Sequence, residues 1–551
     1  MSSPSFRPFM TAPRVLRRPA PQTEMRAPAS AGEADAFAAL KVDLADEPVL
    51  AMDEIQGNVI PGFGTKRLEL IGLRIAAGRD ADARRWLREL TPLITTAAHA
   101  WHAREVRRAV ARSTGIAPPR DGVFLNVLLS HDGASLLGLP TAGIHESLFR
   151  SGMSRADLQD PVDAQGHPIG WKLGDTPETT PHVIILLGAD DDPALDEALQ
   201  VLTAHLPASG LAAMYRDTGR QLPGDIEHFG FRDGIAQPGV RGRRDDHPDS
   251  FVTRRYIPPE DPESARFSRP GEPLIWPGQF ILGYPTQDEL TEGPGPIAQP
   301  PEPWMLNGSF VVFRRLRQHV ERFRQFAAGQ AAQVSATLGR EVTAAEIEAW
   351  LVGRWPDGAP LQRRPQPAPM RESAPVTRAD LEINHFDYAA AVPDVQVDLS
   401  TGRAVITGVG GDPAGAVCPH FAHVRKVNLR DKLTDQGPSF RFRMLRRGIP
   451  YGDPFRPQAP DDEDRGLLFV AYQRDLQAFL TISATWMNGA AAPEGFGHDL
   501  LVGQDRAGRS AERLVNGTRV TFDTRGHDPW IEPTGGGFFF SPAVSVFAGL
   551  A

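Results

Sequence analysis

Cysteine is all but missing from this chain: Cys418 is alone in 551 residues. One thiol excludes an internal disulfide framework and every multi-cysteine zinc or iron–sulfur site. Long apolar runs are missing too. No stretch approaches the roughly 18 consecutive apolar residues that a membrane-spanning helix needs, so no membrane partner is expected. Positive charge is not in excess either, with 59 basic against 68 acidic side chains and a formal charge of −9. Non-specific nucleic-acid binding needs a basic surface to displace phosphate counterions, so no nucleic-acid partner is expected. Low complexity is also absent, because 53 Gly and 51 Pro make up less than a fifth of the chain, below the roughly 25–30% that marks such sequences.

What remains is a loop-rich globular composition, 41% hydrophobic and 23% charged. Residues 1–45 are rich in Pro, Ala and Arg without apolar periodicity, and read as a disordered tail. The Arg17-Arg18 pair is followed by Pro19 and Pro21 rather than an apolar stretch, so no signal peptide is recognised. A cytoplasmic protein is the resulting expectation, in keeping with an unpaired cysteine.

Ordered structure is expected from about Glu54. Leu68–Ile75 reads as a strand, and Asp80–Leu90 as a helix with Ala83, Trp86, Leu87 and Leu90 on one face. Val123–Leu129 is a second strand, with a short helix from Asp132, and Val183–Leu187 is a buried third strand. Asp192-Pro193 reads as an N-cap and first-turn proline, opening a helix through Leu195, Leu199, Leu202 and Leu206. Leu211–Tyr215 closes the unit. This order predicts an α+β fold, a four-stranded sheet of ferredoxin-like type with helices on one face. A second pass has strands at Ser309–Phe313, Phe440–Leu445, Leu467–Tyr472 and Phe538–Phe540. Its helices are expected across 318–352 and at Leu476–Met487, with a last one capped by Ser541-Pro542. The organisation is thus a first half over 46–240, a long connection over 241–305 and a second half over 306–551, as in a tandem duplication.

Four segments could carry chemistry. In EHFGFRDGIAQP, Asp233 sits among glycines that allow close backbone approach to a ligand, though Asp-Gly is also a common turn. In CPHFAHVRKVNLRD, His420 and His423 are three apart and could share a helix face as ligands do. A chance H-x-x-H among fifteen histidines is the plainer reading. In FRFRMLRRGIPYG, period two aligns Phe440, Phe442, Met444 and Arg446 on one face, with Arg441, Arg443 and Arg447 on the solvated face. An arginine ending an apolar face either meets an anion or snorkels out. In RGLLFVAYQ, Leu467, Phe469 and Ala471 share a face, as in any core strand. Cys418 lacks the glycine-rich surroundings of a haem-thiolate and reads as a small core residue.

Together these segments resemble the dye-decolorising peroxidase family, in its longer-chain branch. DEIQGNVIPGFG (53–64), NGSFVVFRRLRQ (307–318), LVGRWPDGAPL (351–361) and GGGFFFSP (535–542) fall in the family's order. The resemblance covers everything from about residue 53 onward. It implies two ferredoxin-like halves in a dimeric α+β barrel-like arrangement, with one haem b per chain bound between them. It makes His423 the axial iron ligand, leaving His420 either a support behind that ligand or incidental. The family's distal acid falls on Asp233 and its distal arginine on Arg446, rather than Arg447. Asn428-Leu429-Arg430 stands where the family usually has N-P-R, and Arg430 remains a partner for a haem propionate. Gly234, Ile235 and Ala236 would border the haem, and Leu467 and Phe469 resemble the apolar pair that narrows the distal pocket.

The implied activity is reduction of hydrogen peroxide coupled to one-electron oxidation of dyes, phenols or other aromatic donors. Asp233 would move a proton between the peroxide oxygens, while Arg446 stabilises the charge that develops as the O–O bond breaks. A carboxylate should hold the other ring nitrogen of His423, and sequence does not name it. A haem storage, transport or sensing protein on the same fold is the alternative, although a carrier needs neither Asp233 nor Arg446. A non-haem hydrolase metal site from His420 and His423, with His385 or Asp387 as a further ligand, is a third class. Homo-oligomerisation is left open.

Overall fold

The computed structural model describes residues 47–155, 158–288, 293–366, 381–398, 403–430, 433–434, 437–505 and 508–551. The tail expected over 1–45 lies outside them. Strand β1 (Arg67–Ile75) leads into helix α1 (Asp80–Leu90), whose buried face is Ala83, Trp86, Leu87 and Leu90, as the spacing predicts. Helix α2 (Ala97–Thr114) has no counterpart among the sequence expectations. Only its Ala97 and Ala100 are buried, so it leaves no apolar stripe to read; its ends are set by Thr96, which accepts from the His99 N–H, and by Gly115 at φ +72. Strand β2 (Phe124–Leu129), helix α3 (His131–Leu136), strand β3 (Val183–Ala189), helix α4 (Asp192–His205) and strand β4 (Leu211–Arg220) follow. The expected cap of α4 shifts by one residue. Asp191 is the N-cap and Asp192 the first helical residue, its carboxylate turned to Arg67 and Arg220.

The second set comprises β5 (Ser309–Gln318), α5 (Val320–Leu338), α6 (Ala344–Val352), α7 (His423–Lys426), β6 (Leu445–Arg446), β7 (Ile449–Tyr451), β8 (Gly466–Gln473), α8 (Gln477–Leu480), β9 (Ile531–Ser541) and α9 (Val544–Ala548). Three expectations fail here. Phe440–Leu445 is not a strand: Ser439–Phe442 is a 3₁₀ turn, and only Leu445 and Arg446 reach β8. Strand β8 is already paired with β5 along one edge, and its other edge is divided between β6 and β7, so no long partner fits. The helix expected over Leu476–Met487 widens after Leu480 into a π-helical segment, Thr481–Met487. Ser541 ends β9 and Ala543 caps α9, so Ser541-Pro542 is no cap.

The strands run β4-β1-β3-β2 in the first set and β7-β8-β5-β9 in the second, with each neighbouring pair antiparallel. Counted within its own set, each has the spatial order 4-1-3-2. The two arcs meet at both edges, through Leu129 opposite Phe540 and Tyr451 opposite Gly219, and so close an eight-stranded barrel. Alternation decides what fills it. Leu68, Leu70, Ile184 and Leu186 point inward from the first arc and meet Val311, Phe313, Leu468 and Tyr472 from the second. Each such side chain contributes about 1.5–3 kcal/mol on burial, and together they leave the interior packed. Outside the first arc, α1 and α4 cover Ile71, Leu73, Val183 and Ile185. Outside the second, the outward residues of β5 and β8 are not fully covered, and a cavity remains. The large internal space is therefore on the outer face of the second arc rather than in the barrel shared by both.

Candidate active site

Helix α7 supplies the first group. Chain reversal at Ala422 starts one turn of helix, which buries Arg425 and Lys426 on one side and turns His423 to the cavity. Arg425 binds Glu494 with two guanidinium nitrogens and donates to the Asp412 and Cys418 carbonyls. Lys426 donates to the carbonyls of Gly489, Ala492 and Gly497, and burial pulls its ammonium down to about 8. Both cations thus tie α7 to the loop that carries Asp499. That carboxylate is fully buried and lies 2.7 Å from His423 Nδ1. Its other oxygen accepts from the Leu501 and Val502 N–H groups, so it cannot swing away. An ionised carboxylate only accepts, so Nδ1 carries the proton and Nε2 keeps its lone pair.

The second group comes from the loop after β4. The Arg232 N–H donates to Pro356 O and the Asp233 N–H to Asp225 O, holding the loop on both sides. Gly234 N–H closes a 2.6 Å bond to Asp233 Oδ1, which leaves Oδ2 outside that bond, and the residue lines the cavity. Gly234 needs its φ of +71 for this turn. The same loop holds Arg446, which donates through Nη2 to Ala236 O at 2.8 Å. The Gln237 amide both accepts from the Arg446 N–H and donates to its carbonyl. Arg447 goes elsewhere. It caps the Asn58 and Val59 carbonyls, half-buried beneath Gly62, and is not on the solvated face that period two predicts.

The cavity holds about 290 Å³. All ten residues singled out from the sequence line it: Asp233, Gly234, Ile235, Ala236, His423, Asn428, Arg430, Arg446, Leu467 and Phe469. Arg430, at φ +58, lies 3.5 Å over the Phe386 ring and donates to Asn384 O, while Asn428 Oδ1 accepts its N–H. Ile482, Ser483 and Met487 enter from the π-helical segment, which is where its wider turn matters.

Sequence reasoning missed four contributors. Asp499 left only the signal of one acid before an apolar Leu-Leu-Val run. Arg354 and Asn384 form a buried pair behind the cavity; Nη2 of Arg354 donates to Asn384 Oδ1, whose Nδ2 donates to Ile235 O. Burial draws Arg354 down to about 10. Glu227, inside the quoted EHFGFRDG segment, also faces the cavity, and burial pushes it up to about 7. The hydrolase set does not assemble. His420 stacks on Phe496 beside Glu494, His385 contacts Pro393 O, and Asp387 accepts from the Ala389 and Ala390 N–H groups. Among the described residues no group of three or more His, Cys, Asp or Glu side chains could hold a metal ion.

A family model for the C-terminal part of Dyp-type peroxidases matches residues 286–494, a span holding His423 and Arg446 but neither Asp233 nor Asp499. Over longer spans the chain is 28% identical to dye-decolorizing peroxidase msp1 of Mycetinis scorodonius, covering 77% of this chain and 75% of that one. It is 29% identical to the multifunctional dye peroxidase DyP2 of an Amycolatopsis species, covering 92% and 97%. A solved structure of an ancestral D-type dye decolorizing peroxidase superposes with a TM-score of 0.70 at 26% identity, over 91% of this chain and 99% of that one. The family model, the curated relatives and the solved structures all support the DyP-type peroxidase family for this chain. Another solved DyP, in complex with 2,6-dimethoxyphenol, superposes at 0.66 with 25% identity.

The cavity suits an iron porphyrin. A porphyrin brings four of the metal's ligands itself, so one imidazole with a free Nε2 suffices. Leu467, Phe469, Phe442 and Met444 offer an apolar wall, and Arg430 offers a cation for a carboxylate. No helix among the described residues is long and apolar enough to cross a membrane.

Proposed function

We propose that this protein is a haem-dependent peroxidase that reduces hydrogen peroxide and oxidises dyes, phenols or other aromatic donors in one-electron steps. The observation that carries the reading is the convergence on one cavity of His423, polarised by buried Asp499, with Asp233 and Arg446. Haem b, one per chain, would be held by His423 Nε2 and by Arg430 and Asn428, bordered by Gly234, Ile235, Ala236, Leu467 and Phe469. It would lie between the 225–238 loop of a first ferredoxin-like half (46–240) and α7 of a second (306–551), joined by the 241–305 connection. The shared 4-1-3-2 strand order supports that division.

When bound, the haem supplies the electrons that reduce peroxide and regains them from the donor. The protein's part is to hold and move protons. Asp499 keeps the proton on His423 Nδ1, making the ring a stronger electron donor at Nε2. Asp233 Oδ2 takes a proton from one peroxide oxygen and returns it to the other, which leaves as water. Arg446, held against Ala236 O, stabilises the negative charge of the parting oxygen. Leu467 and Phe469 narrow the space above, so that peroxide enters and large donors do not.

The test is reconstitution with haemin, then stopped-flow mixing with peroxide and a panel of dye and phenol donors. A Soret band, a fast reaction with peroxide and donor turnover are expected. His423→Ala should fail to retain haem. Arg446→Leu should retain it and react with peroxide about 10²–10³-fold more slowly. Haem binding without peroxide turnover in the parent would instead favour the storage, transport or sensing alternative.

A further inference from the structure

Glu227 lines the cavity, yet the peroxidase reading gives it no task. Its own backbone is closed into a tight turn: the Glu227 N–H donates to Phe231 O and the Gly230 N–H to Glu227 O, both at 2.9 Å. The side chain then folds back over this turn. Oε2 accepts from the Phe229 N–H and Oε1 from the Phe231 N–H, each at 2.9 Å. A third donor, Gln318 Nε2, reaches Oε2 from the end of β5, which is part of the barrel wall. Phe229 and Phe231 are buried, Phe229 with its ring 4.6 Å from that of Phe323 on α5. Two residues beyond this fixed turn stands Asp233.

We propose that Glu227 is a positioning residue for Asp233: its carboxylate, accepting from three donors on two elements, fixes the turn that places Asp233 at the cavity. The proposal rests on the peroxidase reading for what Asp233 does there. A carboxylate suits the place because both its oxygens only accept. An amide would set its NH₂ against one of the two backbone N–H groups, leaving donor facing donor. Three hydrogen bonds also explain how a charge is tolerated beside the phenylalanines. Burial works against ionisation, as does the nearby Asp233 charge, while the bonds from Phe229, Phe231 and Gln318 work for it, so the all-acceptor form prevails above about pH 7.

The experiment compares haem-loaded parent, Glu227→Gln and Gln318→Leu proteins by stopped-flow with peroxide at about pH 8, where the Glu227 carboxylate is ionised. Amide hydrogen exchange is measured on the haem-free chains. Glu227→Gln should keep the parent Soret position and the parent KM for the donor, but lose about 10²-fold in its rate with peroxide, the cost of a displacement near 1 Å. Exchange should rise at Phe229 and Phe231 and stay unchanged in α7. Gln318→Leu, which leaves both backbone bonds in place, should show a several-fold loss confined to the same peroxide step. A parent-like peroxide rate in Glu227→Gln, or unchanged exchange at Phe229 and Phe231, overturns the proposal. If Glu227→Gln does not take up haem, Gln318→Leu decides: a parent rate overturns the proposal, and a loss in the peroxide step alone supports it. A parent that does not react with peroxide overturns the peroxidase reading instead, and the exchange data then judge the turn by themselves.

Discussion

The 2.7 Å contact of His423 Nδ1 with Asp499 joins residues 76 apart in the chain, and it sets what His423 can do. Asp499→Asn keeps an acceptor for the ring N–H but removes the charge behind it. The imidazole becomes a weaker donor, so the haem midpoint potential should rise and haem affinity should fall about 10–100-fold. Spectroelectrochemistry and haem titration measure the two effects; an unchanged potential would show that Asp499 only orients the ring. At this scale the sequence was informative about chemistry and silent about pairing. Asp233, His423 and Arg446 stand in recognisable segments, whereas Asp499 is one acid among 68 acidic side chains. The strand that alternation in FRFRM predicts before Arg446 is absent, because the pattern looks the same whether the backbone is extended or coiled.

The loop around Glu227 and His228 carries two buried ionisable side chains whose effects on stability run in opposite directions. Burial raises Glu227 from 4.5 to about 7. Its contribution is therefore full below pH 4.5 and is lost as pH rises through 7. Burial lowers His228 from 6.5 to about 4, only partly offset by its contact with Tyr451 O. Its contribution is present above pH 6.5 and is lost as pH falls through 4. Between about pH 4.5 and 6.5 the two slopes oppose each other. His228→Phe removes one of them, so the haem-free variant should lose stability, relative to the parent, as pH rises across this window. Urea unfolding at stepped pH reads the difference, and parallel pH profiles would refute it. Elements with one apolar face, such as α1, were legible from spacing. Helix α2 was not, since so little of it is buried, and the π-helical segment was not, since its apolar pattern also fits an α-helix.

Closure of the barrel depends on two narrow seams, one of them where Tyr451 of β7 meets Gly219 of β4. A Cβ on Gly219 would stand 2.2 Å from Ile449 Cγ2, so any side chain there displaces Ile449 at the seam. Gly219→Ala should cost about 1–3 kcal/mol, the usual penalty for overpacking, read by denaturant unfolding of the haem-free chain. An unchanged midpoint would mean that the seam yields. Because the cavity lies on the outer face of the second arc, the loss should appear first in global stability and only secondarily in the peroxide reaction.

Local pattern settled what local pattern can. Alternation and helical spacing marked β1, β3, α1, β5 and β8, and the order of these elements implied a doubled α+β chain. The same letters supplied the chemical set of one imidazole, one carboxyl and one guanidinium, with no thiolate in competition. Only the tertiary structure decided that the barrel interior is filled, that the cavity opens outside it, and that Asp499, Gln318 and Asn384 stand behind the residues the sequence named. The reason is physical. Periodicity records which face of an element is apolar, while the partner of a buried polar atom is chosen by chain closure across many residues, and its spacing in sequence carries no trace of that choice.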